Sequence, residues 1–332
     1  MTSVNMKLEA EIWPLAAPFR TAAHTMLDVK VLVVTVEKDG RIGRGEAAGV
    51  FYLNESVQSM AQQIERLRAV IEQGIDRKLL QTMLPPGGAR NALDCALWDL
   101  EARLTGRPAW QTAGIDKPHK LLTTLTCSAA EPERMADVAR NYVGARAIKI
   151  KLTGEPVDAD RVRAVREAAP DAWLMIDANQ GFTRDFLERL MPVLVQTRIA
   201  LIEQPFPIGQ ESLLDGFQSP ISIAADESAQ GLRDIPGLVG RFSMVNIKLD
   251  KCGGLTEGFA IAHAAREHGL HTMVGNMLGT SLAMAPAFLL GQLCHVVDLD
   301  GPVFLKTDRH PGVEYADGLI DCPESMWGAS HS

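Results

Sequence analysis

The sequence predicts an α/β protein in which a closed barrel of parallel strands follows a smaller α+β module. From about Leu121 onwards, short apolar segments alternate with helical stretches, which is the pattern of proteins built from βα units. Eight such segments are present, and eight parallel strands can close into a barrel. The first 120 residues do not show this alternation of strands and helices. The total length of 332 residues is about twice that of an average domain. An open, doubly wound sheet is the second interpretation.

The first module contains a strand-like run and one long helix. Val29 to Glu37 is rich in β-branched residues, and the Asp-Gly pair in Lys38–Arg41 after it is a hairpin signal. Ala89 to Leu104 has leucines and alanines three and four residues apart, which predicts an amphipathic helix. Gly106 and Pro108 end it.

The eight barrel strands follow one another at intervals of roughly 20 to 28 residues. They are Leu122–Cys127, Ala147–Lys151, Trp173–Asp177, Ile199–Glu203, Ile221–Asp226, Met244–Leu249, His271–Gly275 and Cys294–Asp298. No G-x-G-x-x-G motif follows a first strand, which removes the main sequence support for a dinucleotide-binding sheet.

Composition excludes several classes of protein. Hydrophobic residues make up 46% and charged residues 22%, which is ordinary for a folded soluble chain. The 33 basic against 41 acidic residues give a net charge of -8, so we expect no nucleic-acid partner. Met1–Trp13 carries charges where a signal peptide is apolar, and polar residues interrupt the uncharged stretch from His268 to Val297. We therefore expect a cytoplasmic protein with no membrane partner.

Charged side chains recur at the carboxyl ends of the predicted strands, where burial makes charge costly. They are Lys149, Lys151, Asp177, Glu203, Asp226, Lys248, Asp298 and Asp300. The carboxyl ends of barrel strands meet at one mouth, which is where barrel enzymes hold their active sites. Three carboxylates from adjacent strands form an oxygen-only ligand set that suits Mg²⁺ or Mn²⁺, and no His or Cys lies in register to favour zinc. Two lysines across the mouth suit proton transfer at a carbon next to a metal-bound carboxylate.

The motifs K-x-K, D-x-N, E-Q-P, D-E-S and N-I-K-L-D-K-x-G-G resemble those of the enolase superfamily, in particular its muconate-lactonising subgroup. Asp298-Leu-Asp300 on the last strand and the run from Ala89 to Asp99 resemble the dipeptide epimerases, especially the L-Ala-D/L-Glu epimerases. The resemblance implies a modified TIM barrel, (β/α)7β, over residues 121–301. Residues 1–120 would form an α+β capping domain, and residues 302–332 would pack back on it.

The resemblance also implies the catalytic bases. Lys151 and Lys248 would act as acid and base on opposite sides of the substrate's α-carbon. Lys149 would lie beside Lys151, where its positive charge disfavours a second ammonium, and it would also touch the substrate carboxylate. The reaction would be a 1,1-proton transfer through an enediolate, because sites of this superfamily combine a lysine or histidine base with Mg²⁺ that stabilises such an intermediate.

The remaining implied roles belong to acidic residues. Asp177, Glu203 and Asp226 would bind Mg²⁺, with Mn²⁺ as an alternative. Asp298 and Asp300 would bind the free amine of a dipeptide, so the implied partner is a small dipeptide, such as those of peptidoglycan metabolism. A homo-oligomer is left open.

The substrate side chain is the least constrained feature. In L-Ala-D/L-Glu epimerases an arginine of an N-terminal loop pairs with the glutamate side chain, and here Ala23 occupies the aligned position. Arg20 and His24 are the nearby substitutes. The default substrate is therefore L-Ala-Glu, and an L-Ala-X dipeptide with another side chain is its competitor.

Other reactions would use the same lysines and metal. An o-succinylbenzoate synthase or an N-acylamino acid racemase acts on a substrate without a free amine, which would leave Asp298 and Asp300 without a role. A non-catalytic, metal-dependent binding protein on the same fold is a third alternative.

Overall fold

The computed structural model of the protein describes residues 4–20 and 25–330, except for the side chain of Arg20. Its strands are β1 Asn5–Arg20, β2 Thr25–Lys38, β3 Arg41–Ala47, β4 Leu121–Leu122, β5 Leu125–Cys127, β6 Ala147–Lys151, β7 Trp173–Asp177, β8 Ile199–Glu203, β9 Ser222–Ala225, β10 Met244–Lys248, β11 His271–Gly275, β12 Val296–Val297, β13 Glu314–Ala316 and β14 Leu319–Asp321. Its helices are α1 Val57–Glu65, α2 Arg68–Gly74, α3 Arg77–Met83, α4 Gly88–Thr105, α5 Ala109–Thr112, α6 Pro132–Asn141, α7 Asp158–Ala168, α8 Arg184–Gln196, α9 Ile235–Leu238, α10 Leu249–Cys252, α11 Leu255–Glu267 and α12 Ser281–Gly291.

The N-terminal module is an antiparallel sheet, β1-β2-β3, with helix α4 packed on it. The predicted hairpin turn is present: Asp39 and Gly40 both have positive φ, which matches the twist of the strands it joins. Gly43 and Gly45 lie where β3 meets α4, and a Cβ at either would approach a helix carbonyl within 2.2 Å. The absence of side chains at these two positions therefore lets strand and helix pack in direct contact.

The second sheet has eight parallel strands in the order β5 to β12, each paired with the next along the chain. Its two edges meet where the amide of Thr124 donates to the carbonyl of Val297 at 3.0 Å. The predicted barrel is confirmed, and the open, doubly wound sheet is excluded because a doubly wound sheet keeps two free edges.

Four predicted strands were wrong in extent: Ile221–Asp226 by one residue at each end, Met244–Leu249 by one residue at its carboxyl end, and the first and last barrel strands by more. Leu122–Cys127 is divided: Leu121–Leu122 pairs with β14 of the C-terminal tail, and only Leu125–Cys127 joins the barrel. The last strand is reduced to Val296–Val297, so Asp298 and Asp300 follow it instead of lying on it.

Alternation along the strands separates an apolar layer from a charged layer inside the barrel. Met175, Leu201 and Ala224 form a buried apolar cluster with Met244 and Met273. Each of the first three lies two residues before a strand-end carboxylate, so the carboxylates point into the same interior one layer higher. The apolar layer closes the bottom of the barrel, and the charged layer opens towards the cap.

The cap is joined to the barrel by buried polar contacts. Asp94 of α4 accepts hydrogen bonds from the amide and hydroxyl of Thr256 at 2.9 and 2.6 Å, and Trp98 donates its indole N–H to the same hydroxyl. The tail returns to the cap, where the amide of Gly328 donates to Asp99 at 2.8 Å. Among residues 4–20 and 25–330, no helix combines the length and apolarity that crossing a membrane requires.

Candidate active site

A cavity of about 320 Å³ lies between the cap and the carboxyl ends of the barrel strands. The cap contributes Phe19, Met26 and Tyr52 to its wall, and the barrel contributes six of the eight predicted charged residues. These are Lys149, Lys151, Asp226, Lys248, Asp298 and Asp300. The mouth predicted from the strand ends is therefore a real enclosure, and the cap forms its roof.

Three carboxylates lie side by side on consecutive strands. Asp177, Glu203 and Asp226 end or follow β7, β8 and β9, and all three are buried. Asp177 is in register with both Lys151 and Glu203. The amide of Asn246, on the next strand, donates to Glu203 at 2.7 Å. The strand register thus gathers these residues, although they are about 25 residues apart in the chain.

Lys149 occupies the centre of the acidic cluster. Its ammonium nitrogen lies 3.0 Å from Asp177, 2.7 Å from Glu203 and 2.8 Å from Asp298. Burial lowers the pKa of Lys149, but the charges of Asp177, Asp298 and Glu203 outweigh it and raise the pKa well above its ordinary value. The ammonium group of Lys149 is therefore held as a cation among three carboxylates.

Lys151 and Lys248 lie on opposite sides of this cluster. Lys151 is on β6 and Lys248 on β10, four strands apart in a ring of eight. Lys151 donates to Asp177 at 2.6 Å and to the side-chain oxygen of Asn179 at 3.0 Å, whereas Lys248 donates to Asp226 at 2.6 Å. The expected arrangement of two amines across the mouth is present.

The carboxylates respond to these ammonium groups in different ways. Burial favours the neutral form of Asp177, but Lys149 and Lys151 outweigh it and hold its pKa below the usual range. Asp226 shows the same depression of its pKa, because Lys248 and Lys251 outweigh its burial. The pKa of Glu203 is raised instead, by burial and by the neighbouring charge of Asp177.

The pKa of Lys248 is shifted in the direction opposite to the one that a general base requires. Burial lowers its pKa, but the charge of Asp226 outweighs burial and raises the pKa above its ordinary value. The pKa of Lys248 is raised because the carboxylates of the site pair with lysines. A divalent cation that took these carboxylates would remove the partners that hold Lys248 as an ammonium.

The acidic cluster has the chemistry of a hard-cation site. In the part of the chain that the structure describes, no three His, Cys, Asp or Glu side chains are already arranged around a metal position. The ammonium of Lys149 instead lies among the carboxylates, and Glu203 Oε2 is buried without a hydrogen bond despite its charge contact. Oxygen donors around a cationic centre fit Mg²⁺ once the side chains rotate towards it.

The two aspartates after the last strand are fixed by the first barrel strand. Asp298 accepts from the hydroxyl of Thr124 at 2.5 Å, and Asp300 accepts from the amide of Thr126 at 2.7 Å. Burial and the neighbouring charge of Asp298 raise the pKa of Asp300 to about 7. A bound ammonium group would relieve this repulsion, so the pair is suited to hold an amine.

Lys251 is a site residue to which sequence reasoning gave no role. It is fully buried in the short helix α10, and its ammonium donates to Asp226 Oδ1 at 2.5 Å and to the carbonyls of Asp226 and Asn246. The motif N-I-K-L-D-K contained it, but only the tight turn after Lys248 shows that the chain brings it back to the site.

The substrate-loop residues are not located. His24 and Ala23 lie outside the described residues, as does the side chain of Arg20. The substitution of Ala23 for the expected arginine thus stays a sequence observation.

Comparison with known proteins decides the family. Residues 3–114 match the family described as "Mandelate racemase / muconate lactonizing enzyme, N-terminal domain", and residues 133–328 match "Enolase C-terminal domain-like". The chain belongs to the enolase superfamily. The resemblance read from the strand-end motifs is confirmed. The first match covers the N-terminal module of this enolase-superfamily chain, and the second runs from α6 through the remaining barrel strands into the C-terminal tail.

Relatives within the enolase superfamily cover nearly the whole chain. The L-Ala-D/L-Glu epimerase of Escherichia coli (strain K12) is 39% identical over 318 residues, 95% of this chain and 99% of the relative. A structure from Agrobacterium tumefaciens "with homology to dipeptide epimerases", with bound sodium and L-Ala-L-Glu, is 38% identical, with a TM-score of 0.95 and coverage of 98% and 100%. A dipeptide epimerase of Enterococcus faecalis V583, complexed with Mg and L-Leu-L-Tyr, is 28% identical, with a TM-score of 0.91 and coverage of 99% of both chains.

Proposed function

We propose that the protein is a Mg²⁺-dependent dipeptide epimerase that inverts the α-carbon of the C-terminal residue of an L-Ala-X dipeptide, with L-Ala-D/L-Glu as the default substrate. One observation carries the proposal: a single cavity is lined by two lysines on opposite strands, by Asp226 of the buried carboxylate cluster between them, and by a separate pair of aspartates. Relatives of similar length that act on or bind dipeptides support it.

The two lysines carry the proton transfer. Lys151, as a neutral amine, removes the α-proton: the C–H bond breaks, an N–H bond forms, and the electron pair moves into the carboxylate to give an enediolate. Lys248, as an ammonium, returns a proton to the opposite side of the carbon, which inverts it. In the reverse direction the two lysines exchange roles, and proton exchange with water resets both.

The acidic residues form two groups, one that would bind the metal and one that binds the substrate. Asp177, Glu203 and Asp226 would hold the metal, and Mn²⁺ suits the same donors. Bound Mg²⁺ supplies positive charge where negative charge develops on the substrate carboxylate. Asp298 and Asp300 bind the substrate's α-ammonium group, which orients the dipeptide.

Substrates without a free amine are disfavoured by the same arrangement. An o-succinylbenzoate synthase or an N-acylamino acid racemase would bring no ammonium group to this buried pair. Asp298 already pairs with Lys149, but burial and the charge of Asp298 keep the pKa of Asp300 raised, and a buried charge without a partner is costly. The proposal includes a division of the chain into a cap of residues 1–120, a catalytic barrel of residues 121–301 and a returning segment of residues 302–332. The contact of Gly328 with Asp99 supports the last part.

The test is α-proton exchange across a library of L-Ala-X dipeptides, with Mg²⁺ in D₂O. We expect a mass increase of one unit and formation of the L-Ala-D-X epimer for at least one X. The matched control is the Lys117→Met variant, which removes an exposed lysine on a distant surface and should exchange like the wild type. Absence of exchange from every dipeptide would contradict the proposal and favour a non-catalytic binding protein.

A further inference from the structure

The three tyrosines of the chain use their hydroxyl groups differently. Tyr142 donates its proton to the carbonyl of Thr126 at 2.7 Å, and Tyr315 donates to the carbonyl of Leu299 at 2.6 Å. The hydroxyl of Tyr52 instead accepts a hydrogen bond, and within the described residues its own proton has no acceptor. The hydroxyl of Tyr52, at the wall of the cavity, can therefore still donate one hydrogen bond.

The position of Tyr52 is fixed by the barrel. It lies in a single helical turn, Phe51–Leu53, and the side-chain amide of Gln230 donates to its hydroxyl at 3.1 Å. The same amide nitrogen donates to the carbonyl of Glu227 at 2.6 Å, which ties Gln230 to the loop that follows β9. The hydroxyl oxygen is therefore held in place while its proton stays available.

The turn that carries Tyr52 is anchored on both sides. Glu55 accepts hydrogen bonds from the amides of Val50 at 2.8 Å and Gly88 at about 3.0 Å, which ties the turn to helix α4 of the cap. The amide of Gly49 donates to Asp250 of the barrel at 2.8 Å. Such double anchoring reduces the entropy lost when the side chain engages a ligand.

The surroundings of the Tyr52 hydroxyl disfavour loss of its proton. Burial and the charges of Asp226 and Glu227 raise the pKa of Tyr52 above its ordinary value, with Lys248 opposing them. The proton is thus retained, and the same neighbours place the hydroxyl near the β9 side of the cavity.

The distribution of groups around the mouth separates Tyr52 from the amine end of the substrate. The carboxylate of Asp300 accepts a hydrogen bond from the amide of Thr126 in β5. Strand β9 lies four strands away from β5 in the ring of eight. The α-carbon has to lie between Lys151 and Lys248, in the middle of the mouth. A dipeptide held by its amine at the β5 side therefore extends its C-terminal residue towards β9 and the cap.

We propose that Tyr52 is a specificity-determining residue, whose hydroxyl donates a hydrogen bond to an oxygen acceptor in the side chain of the epimerised residue. This assignment rests on the proposed function and names the substrate class: an L-Ala-X dipeptide in which X carries a carboxylate or carboxamide. It supplies a neutral donor in a chain whose sequence lacks the expected loop arginine at Ala23.

The test compares Tyr52→Phe with the wild type on L-Ala-L-Glu, L-Ala-L-Gln and L-Ala-L-norleucine. The variant keeps the ring and loses only the hydroxyl. We expect kcat/KM for the glutamyl dipeptide to fall about tenfold to a hundredfold, since that is the range for a hydrogen bond to a charged group. For the glutaminyl dipeptide, kcat/KM should fall by a smaller factor. For the norleucyl dipeptide, which offers no acceptor, kcat/KM should change less than about twofold.

Two further variants make the comparison selective. Tyr142→Phe removes a hydroxyl that donates to the carbonyl of Thr126, the residue whose amide donates to Asp300, so the variant should change kcat/KM by the same factor for all three dipeptides. Gln230→Leu removes the group that fixes Tyr52, so it should reproduce the selective loss on the glutamyl dipeptide at smaller size.

The outcomes are distinguishable. An equal loss on all three dipeptides in Tyr52→Phe, or no loss on any, would overturn the assignment while leaving dipeptide epimerisation intact. A wild-type protein that is inactive on every dipeptide would overturn the proposed function and this assignment with it.

Discussion

Replacement of Lys251 by methionine tests how the third carboxylate of the site is held in place. The methionine chain has similar length and no donor, and the lysine is fully buried. Its loss removes one donor from three acceptors: the carbonyl of Asn246, the Oδ1 atom of Asp226, and the carbonyl of Asp226, which keeps the amide of Ala229. Removing one partner of a buried ion pair typically costs about 3–5 kcal/mol. Lys248 still pairs with the other oxygen of Asp226, so we expect a loss near the lower end.

Urea unfolding without Mg²⁺ measures this loss. With a slope of about 3 kcal/mol per M, the midpoint of Lys251→Met should fall by roughly 1 M or more, at an unchanged slope. Lys117→Met is the matched control, because Lys117 forms an exposed pair with Glu324 and such pairs contribute less than about 1 kcal/mol. If both variants unfold at the same urea concentration, the proposed role of Lys251 in fixing Asp226 is wrong.

The other predictions concern catalysis, the amine site and pH. Lys151→Ala and Lys248→Ala should each lower epimerisation by about 10²–10⁴-fold in a chiral chromatographic assay, and wild-type turnover in either would refute the two-base assignment. Asp300→Asn should raise KM for the dipeptide about tenfold or more, with little change in kcat, because one charge-assisted contact to the amine is lost. Burial raises the pKa of Asp250 to about 7, so the folded state binds a proton that the unfolded state releases above about pH 4. Asp250 should therefore contribute a fall in stability of about 1 kcal/mol between pH 6 and 8, and Asp250→Asn should reduce the pH slope of stability by that amount in urea titrations.

The barrel and the charged layer could be predicted because both follow from strand periodicity. Asp177 and Glu203 each end an apolar run of four or five residues, where an unpaired charge would be costly. The same reasoning failed for β1, since Asn5–Arg20 carries charged residues and two prolines and lies at the edge of its sheet, where such residues are tolerated. The division of Leu122–Cys127 depends on pairing with a tail almost 200 residues later, which no local pattern indicates.

The contributions of Lys251 and Tyr52 were hidden for a different reason. Lys251 reaches Asp226 because the chain forms one helical turn after β10, and Tyr52 reaches the cavity because the cap packs over the barrel mouth. Both depend on tertiary packing of elements that are far apart in sequence or unremarkable in composition. Strand-end charges identify the floor and walls of the site, whereas the cap residues above it can be identified only from the structure.

Hydrogen exchange by the two lysine variants is the sharpest test of the two-base mechanism. Lys151→Ala and Lys248→Ala are each incubated with Mg²⁺ in D₂O, separately with L-Ala-L-Glu and L-Ala-D-Glu, and the α-proton signal is followed by NMR. If the two lysines act on opposite sides of the carbon, each variant should exchange the α-proton of one epimer only, and the two variants should act on different epimers. Exchange of the same epimer by both variants, or of both epimers by either one, would contradict the two-base mechanism.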